Sequence, residues 1–237
     1  MSIHTGTLSY MSRLQDNLLT IGTIVKKHAL QHQRKTSDIQ LLAVSKRHSV
    51  NKIEEAFKLG QKSFGENYVQ ELLEKAKHLS HLEIEWHFIG PLQSNKTKSI
   101  AENASWIHTI DRLKVAERLS KQRPANLDPL NICIQINISK EASKSGVPVN
   151  EVEALAKDIS KLPRLKLRGL MAIPAPEATF DKQRSEFTKL SDLKNTLNLK
   201  GFNLDTLSMG MSNDMEAAIA EGATIIRIGT AIFGSRT

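Results

Sequence analysis

The sequence predicts a single parallel (β/α)8 TIM barrel with an extra N-terminal helix. Eight short segments rich in apolar and β-branched residues alternate with amphipathic segments, and they begin roughly every 20 to 40 residues. An open doubly wound sheet is the alternative for such a pattern. However, no Gly-x-Gly-x-x-Gly motif follows the first strand, which weakens that alternative.

Helical spacing defines the first element, predicted over residues 9–31, where apolar side chains recur at Met11, Leu14, Leu18, Ile21 and Val25. Strands are predicted at 38–45, 63–65, 85–89, 106–110, 132–137, 165–173, 206–209 and 225–228. Helices are predicted between them at 49–60, 68–79, 113–121, 149–161, 180–197 and 214–221. Ser49 is the expected N-cap of the second helix.

The composition agrees with one folded domain. The chain has 237 residues, of which 40% are hydrophobic and 24% charged, enough for one sizeable core. We expect a single domain over 1–237, with an N-terminal helical extension at 1–36 and the barrel at 37–237. The single cysteine, Cys133, cannot form an intrachain disulfide, and no secretory signal or apolar run of roughly 20 residues is visible. These features predict a cytoplasmic protein without a membrane partner.

The net charge of +8 needs a partner or a solvated surface to explain it. Lysine and arginine are scattered, and aromatic residues make up only 5% of the chain, so the stacking and clustering typical of nucleic-acid binding are missing. We therefore expect no nucleic-acid partner. A basic surface that attracts small phosphorylated molecules is the favoured interpretation.

Two basic residues stand out because strands of a parallel barrel are covered on both faces and are normally apolar. Lys46 follows the first strand, at the end where barrel active sites are built. Arg227 lies within the last strand, and alternation places it and Gly229 on the opposite side from Ile226 and Ile228. An inward charge is costly unless it meets an anion or a hydrogen-bond acceptor. The alternative for Lys46 is a lysine that snorkels into water, and the alternatives for Arg227 are a structural ion pair or an outward position that reaches solvent.

The loops after strands seven and eight resemble phosphate sites of other barrels. Small residues and helix starts leave backbone N–H groups free, and Ser212 and Thr230 add hydroxyl donors, while Gly229 permits close approach. Asp214 argues against an anion here, and simple helix capping by Ser212 is the alternative. Together with Lys46 and Arg227, these loops predict a site for a phosphorylated carbonyl compound held as a Schiff base.

Seven strings carry a resemblance to a known family. They are AVSK at 43–46, FGENYVQE at 64–71, WHFIGPLQSNK at 86–96, SKSG at 143–146, GLMAIP at 169–174, SMGMS at 208–212 and RIGTAIFG at 227–234. Over residues 38–234 the chain resembles the YggS/PROSC family, the pyridoxal phosphate homeostasis proteins. Two departures are visible: Ser49 stands where a proline is frequent, and Asn213 stands where an aspartate is frequent.

The resemblance implies a barrel like the N-terminal domain of alanine racemase that binds pyridoxal 5'-phosphate (PLP). It implies that Lys46 bonds to the cofactor and that Arg227 faces the pyridine nitrogen. The other residues that it implies in the cofactor site are Asn67, Met209, Ser212, Gly229 and Thr230. His87 and His108 lie in strands and are expected to be hydrogen-bonded core residues, and Lys144 could reach the cofactor mouth. No Cys/His spacing typical of a metal site is present.

Three functions remain open from the sequence. The first is a non-catalytic protein that holds PLP as an aldimine of Lys46 and maintains intracellular vitamin B6, acting as a monomer with PLP-dependent apoenzymes as recipients. The second is an amino-acid racemase, and the third is a barrel enzyme that acts on a sugar phosphate. Racemisation needs a second acid–base group, which alanine racemase takes from a C-terminal β domain, and the end at Thr237 leaves no expected room for one. An arginine at the pyridine nitrogen does not distinguish the PLP-holding protein from the racemase, because the resemblance implies the same arrangement in alanine racemase.

Overall fold

A computed structural model describes residues 12–139 and 145–235 of the chain. Its strands, labelled β1 to β8 in chain order, are Gln40–Val44, Ser63–Glu66, Glu85–Phe88, Trp106–Ile110, Leu130–Gln135, Leu165–Met171, Thr206–Ser208 and Ile225–Ile228. Each strand pairs in parallel with its neighbours in the chain, and β1 pairs in parallel with β8. The described strands therefore form a closed eight-stranded barrel, as predicted.

The helices cover the outside of this barrel. Labelled α1 to α9, they are Arg13–Gln31, Val50–Lys58, Val69–His78, Thr97–Asn103, Leu113–Gln122, Val152–Ile159, Phe180–Leu199, Met215–Ala220 and Thr230–Phe233. Helix α1 begins after Ser12, whose Oγ accepts a hydrogen bond of 3.2 Å from the backbone N–H of Gln15. The predicted start of α1 at residues 9–11, including Met11, lies outside the described residues.

All eight predicted strands are confirmed, and two helices were not predicted. Helix α9 has only four residues, too short for a helical period to emerge from the sequence, and α4 has seven and directly follows a 3₁₀ turn. Strand β1 begins two residues later than predicted because residues 36–38 form a 3₁₀ turn. The cap predicted for α2 was partly wrong: Ser49 occupies the N-cap position with extended backbone, but its side chain makes no capping hydrogen bond.

Alternation along the strands divides the buried side chains into an outer and an inner set. The outer set fills the space between strands and helices and forms one large apolar core. Inside the barrel the apolar residues are few: Leu42, Trp106, Cys133, Met171 and Ile225 form a small separate cluster. The interior also contains buried polar side chains, among them His87, His108 and Arg227. Among the described residues, no helix has both the length and the apolar character needed to cross a bilayer.

Gly169 is a point where β6 and β7 approach too closely for a side chain. A Cβ on Gly169 would lie 1.8 Å from the backbone oxygen of Thr206, which is its register partner on β7. We expect Gly169→Ala to lower the free energy of unfolding by more than about 3 kcal/mol, because the strands must separate.

The matched control is Gly22, which lies in α1 at a position where an added Cβ would meet no other atom within 4 Å. We expect Gly22→Ala to raise the free energy of unfolding by about 0.5–1 kcal/mol through helix propensity. Urea denaturation of both variants measures the difference. Equal stabilities of the two variants would contradict the close strand approach.

Candidate functional site at the mouth of the barrel

The predicted site residues lie on four neighbouring strands, β7, β8, β1 and β2. Lys46 follows the end of β1 by two residues, and Asn67 directly follows β2. Gly229 directly follows β8, and a Cβ placed there would lie 3.2 Å from the carbonyl oxygen of Val44 on β1. The seam where β8 closes the barrel against β1 thus brings the arginine strand and the lysine strand together at their carboxyl ends.

Arg227 points into the barrel, as alternation predicted, and is only 5% exposed. One terminal nitrogen donates to Ser208 Oγ at 2.9 Å and the other to the carbonyl oxygen of Ala172 at 3.0 Å. Burial lowers the pKa of the guanidinium to about 10, partly opposed by the negative charge of Asp214. The group still carries its positive charge at neutral pH, so the mouth of the barrel contains a fixed cation.

The loops after β7 and β8 present exposed hydroxyl groups. Ser212 and Thr230 are both exposed, and Gly210 adopts a φ of 93°, a conformation open to glycine. Asp214 turns its carboxylate back into its own loop, where Oδ1 accepts a hydrogen bond of 2.5 Å from the Met211 N–H. Burial raises the pKa of Asp214, and the hydrogen bond from Met211 opposes that shift.

A cavity of about 320 Å³ opens beside Asn67 at the same end of the barrel. The Oδ1 atom of Asn67 is buried there and has no hydrogen-bond partner, so it is available to a ligand. The described lining residues carry no ionisable side chain; they are Asn67, Ile89, Pro91, Thr109, Gln135, Ser145 and Ile173. The described lining residues can therefore hold a neutral group but contribute no acid or base.

Met209 is not brought to the mouth with its side chain. The residue is fully buried and belongs to the outer apolar core, because its position has the opposite parity to the inward Ser208. Its backbone N–H donates to the Ile225 carbonyl at 3.1 Å. Any contact of Met209 with a ligand would therefore come from its remaining backbone atoms.

An ion cluster on the outer side of the sheet holds the backbone on both sides of Lys46. Lys75 Nζ, on α3, donates to Glu66 Oε1 at 2.8 Å, to Glu71 Oε2 at 2.8 Å and to the carbonyl of Ser45 at 2.9 Å. Ser45 Oγ donates to Glu66 at 2.6 Å, and the N–H of Arg47 donates to Glu71 at 2.8 Å. Both chain neighbours of the lysine are therefore fixed by the same three charges.

Arg47 adopts a left-handed conformation, with a φ of 62°. Few residues other than glycine adopt this conformation, because it is unfavourable in free energy. It persists only where surrounding contacts determine the backbone. Here the Glu71 carboxylate supplies such a contact. The outer ion cluster therefore sets the direction in which the chain leaves β1, and with it the direction of Lys46.

The two strand histidines are buried and hydrogen-bonded, in agreement with the sequence prediction. His87 Nδ1 lies 2.9 Å from His108 Nε2, and His87 Nε2 lies 3.0 Å from a carboxylate oxygen of Glu85. Burial lowers the pKa of His87, and burial together with His87 and Arg227 holds the pKa of His108 well below its usual value. Both rings are therefore neutral at physiological pH.

Sequence reasoning missed Glu66, Lys75 and Ser208, although two of them leave a signal. Glu66 and Ser208 are polar residues at the carboxyl ends of buried strands, the end where barrel active sites are built. Lys75 carries no such mark, because its burial depends on how α3 packs. Lys144 lies outside the described residues. Among the residues that the structure does describe, no group of three or more His, Cys, Asp or Glu side chains is arranged to hold a metal ion.

The fold and the site define a class of protein: a parallel barrel with a lysine, an inward arginine and hydroxyl-bearing loops at its mouth. The sequence model of the family described as "Alanine racemase, N-terminal domain" matches residues 25–237. Crystalline alanine racemase from Corynebacterium glutamicum shares this fold with a TM-score of 0.68, at 15% identity over 94% of the chain and 61% of the racemase.

More similar relatives define the family within that class. A "Pyridoxal phosphate homeostasis protein" of Pseudomonas aeruginosa is 51% identical over 226 residues, covering 95% of this chain and 97% of the relative. PipY of Synechococcus elongatus PCC7942, solved with PLP bound, is 35% identical with a TM-score of 0.81, covering 94% of this chain and 100% of PipY. The chain belongs to the family of pyridoxal phosphate homeostasis proteins.

The outer ion cluster makes a prediction about stability and pH. Burial raises the pKa of Glu66 to about 7, against the opposing pull of Lys75 and Ser45. Between about pH 4.5 and pH 7, Glu66 is therefore protonated in the folded protein and ionised in the unfolded chain. The stability that Glu66 contributes is lost as the pH rises through this range. We expect Glu66→Gln to become more stable relative to the wild type by about 3 kcal/mol over this range.

Glu71→Gln is the control, because hydrogen bonds from Lys75 and Arg47 outweigh burial and lower the pKa of Glu71. The stability that Glu71 contributes is present at neutral pH and is lost as the pH falls below about 4.5, so this substitution should act with the opposite sign. Urea denaturation at pH 3, 4.5, 6 and 7.5 compares the two. A stability difference between Glu66→Gln and the wild type that does not change with pH would contradict a proton on Glu66.

Proposed function

We propose that the protein binds PLP at the mouth of the barrel through a covalent bond to Lys46. We further propose that it maintains the intracellular supply of this cofactor without turning over amino acids. The observation that carries the proposal is Arg227, a charged guanidinium buried beside the strand that leads to Lys46. The PLP-bound structure of PipY, a relative that covers 94% of this chain, supports the choice of cofactor.

Each part of PLP has a matching group in this chain. PLP supplies an aldehyde that condenses with a primary amine and releases water. Lys46 offers the amine, at the end of the barrel where such sites occur. Arg227 offers hydrogen-bond donors to the unprotonated pyridine nitrogen, since a guanidinium only donates. That arrangement keeps the ring nitrogen unprotonated and limits its power as an electron sink.

The phosphate group matches the loops after β7 and β8. Ser212 and Thr230 supply exposed hydroxyl donors, and the backbone at Gly229 admits close approach. Asn213 brings no negative charge to this position, where relatives of the resembled family often carry aspartate. Asn67, with its unpartnered Oδ1, and the backbone of Met209 complete the proposed site on the other sides of the cofactor.

The absence of an acid or base in the described lining of the mouth cavity supports a holding role. Racemisation needs a proton donor and a proton acceptor on opposite faces of the reacting carbon. One of these can be the lysine, but the other would have to face it across the cofactor. None of the described residues that line the cavity beside Asn67 can take up or release a proton near neutral pH.

Delivery follows from the same geometry. The loops that would hold the phosphate are exposed, so cofactor bound there can be reached from solvent. We propose that PLP-dependent apoenzymes receive the cofactor in this way, from a monomeric protein in the cytoplasm. The bond to Lys46 is reversible in water, which lets a single site both store and release PLP.

The proposed covalent bond to Lys46 can be tested by spectroscopy and mass spectrometry. We expect the wild-type protein to develop a visible absorbance band with PLP and, after borohydride reduction, to carry the cofactor on Lys46 in peptide mass spectrometry. Lys46→Ala should lose the band. Lys52→Ala is the matched control, since Lys52 lies on the next helix and donates to the carbonyl of Phe233; it should retain the band. Labelling of Lys52 in place of Lys46 would contradict the proposal.

An assay of amino-acid turnover separates storage of PLP from catalysis. We expect PLP-loaded protein to convert L-alanine and other single L-amino acids to their D forms no faster than free PLP does. Chiral chromatography of long incubations measures this. Turnover at about 1 s⁻¹ or more, in the range of ordinary enzymes, would favour the racemase alternative instead.

A further inference from the structure

A chain of hydrogen bonds crosses the interior of the barrel from its amino end to Arg227. Glu85, the first residue of β3, contacts His87 at 3.0 Å, and His87 contacts His108 on β4 at 2.9 Å. His108 Nδ1 lies 2.7 Å from Ser208 Oγ on β7, and Ser208 accepts from Arg227 at 2.9 Å. The chain therefore spans four strands and ends at the residue proposed to face the cofactor.

The chemistry of the two ends fixes the direction of every bond between them. A guanidinium can only donate and an ionised carboxylate can only accept. With each imidazole neutral and carrying one proton, His87 donates from Nε2 to Glu85, and His108 donates from Nε2 to His87. Ser208 then donates to His108 and accepts from Arg227. All four bonds run from the guanidinium to the carboxylate.

The surroundings of the chain favour this arrangement. Glu85 also accepts from Gln40, Ser63 and Trp106, each at 2.8 or 2.9 Å. The hydrogen bonds from His87, Ser63 and Trp106 outweigh burial and lower the pKa of Glu85, so the carboxylate is ionised at neutral pH. The ring of His87 stacks on Trp106 with an angle of 4° between the planes.

The other charged or titratable groups near the chain do not reverse its direction. Cys133 faces it from β5 as a neutral thiol, because burial raises the pKa of the thiol to about 12. Asp214 acts on Arg227 from the loop after β7. Arg168 lies over the ring of Trp106, 4.8 Å from its centre.

We propose that Glu85, His87, His108 and Ser208 are positioning residues that hold the guanidinium of Arg227 for the pyridine nitrogen of the cofactor. The inference rests on the proposed function, because it takes Arg227 to face PLP. The chain uses one of the five N–H groups of Arg227 and the Ala172 carbonyl uses a second. With two fixed bonds, the guanidinium plane is set before any ligand arrives, which lowers the ordering cost of binding.

The chain also keeps positive charge away from Arg227. A protonated His108 would repel the guanidinium across Ser208, and it would require Ser208 to accept from both neighbours. The ionised Glu85 prevents the reversed arrangement because it claims the Nε2 proton of His87. The side chain of Glu85 is 37% exposed at the amino end of the barrel. A group open to solvent at that end therefore determines the direction of the hydrogen bonds that reach Arg227 at the other end.

The first experiment needs no cofactor. Nitrogen-15 NMR of the histidine rings at pH 7 reports which ring nitrogen carries the proton. We expect the proton on Nε2 in both His87 and His108, and we expect Glu85→Gln to alter the shifts of both rings. An Nδ1 proton on either ring, or a doubly protonated ring, would overturn the inference whether or not PLP binds.

The second experiment measures PLP binding by absorbance titration. Ser208→Ala should raise the Kd for PLP roughly tenfold, as expected when a charge-assisted bond is lost, and should shift the absorbance maximum. Glu85→Gln should shift the same maximum with a roughly threefold rise in Kd. Thr206→Val is the matched control, since Thr206 is a buried hydroxyl on β7 that bonds to Asp205 instead; it should change neither quantity.

The outcomes separate the two proposals. If the wild type takes up no PLP on Lys46, the proposed function fails. The NMR experiment alone then tests the direction of the hydrogen-bond chain. If the wild type takes up PLP and Ser208→Ala keeps the wild-type Kd and spectrum, the positioning role fails and the proposed function stands. A lower thermal stability of Ser208→Ala with an unchanged spectrum also counts against the inference, since it is the result of a merely structural hydroxyl.

Discussion

The buried guanidinium of Arg227 is the charge around which the interior of this barrel is organised. A cation inside a parallel barrel is unfavourable unless acceptors surround it. The protein supplies a carbonyl oxygen from the residue after β6 and a hydroxyl group from β7. The hydroxyl group in turn needs a neutral imidazole that can accept its hydrogen bond. The polar interior follows from that requirement, and apolar filling is reduced to a small cluster.

Two polar systems approach the seam between β8 and β1 from opposite faces of the sheet. The interior chain reaches Arg227, while the outer ion cluster of Glu66, Lys75 and Glu71 reaches the backbone beside Lys46. Alternation accounts for this division, because Ser45 contacts Glu66 and Lys75 on the helix side and the next residue, Lys46, is expected on the other side. Each group proposed to touch the cofactor is thus supported from a different side.

The order of strands and helices could be predicted from the sequence because it depends on local periodicity and on turn residues. The inward direction of Arg227 followed from alternation on one strand. The bond between His108 and Ser208 could not be predicted, since the residues are 100 positions apart and meet only through the register of the closed barrel. Met209 shows the same limit: its strand was predicted, but the parity that buries its side chain in the outer core was not applied.

The rigidity of the site bears on what it does with a cofactor. A protein that stores PLP has to hold it without stabilising negative charge on a bound amino acid. If Arg227 faces the pyridine nitrogen as proposed, it donates a hydrogen bond to that nitrogen and cannot protonate it, because the guanidinium keeps its charge at neutral pH. The described residues that line the cavity beside Asn67 add no acid or base. These features of the barrel agree with the proposal that the protein binds PLP without turning over amino acids.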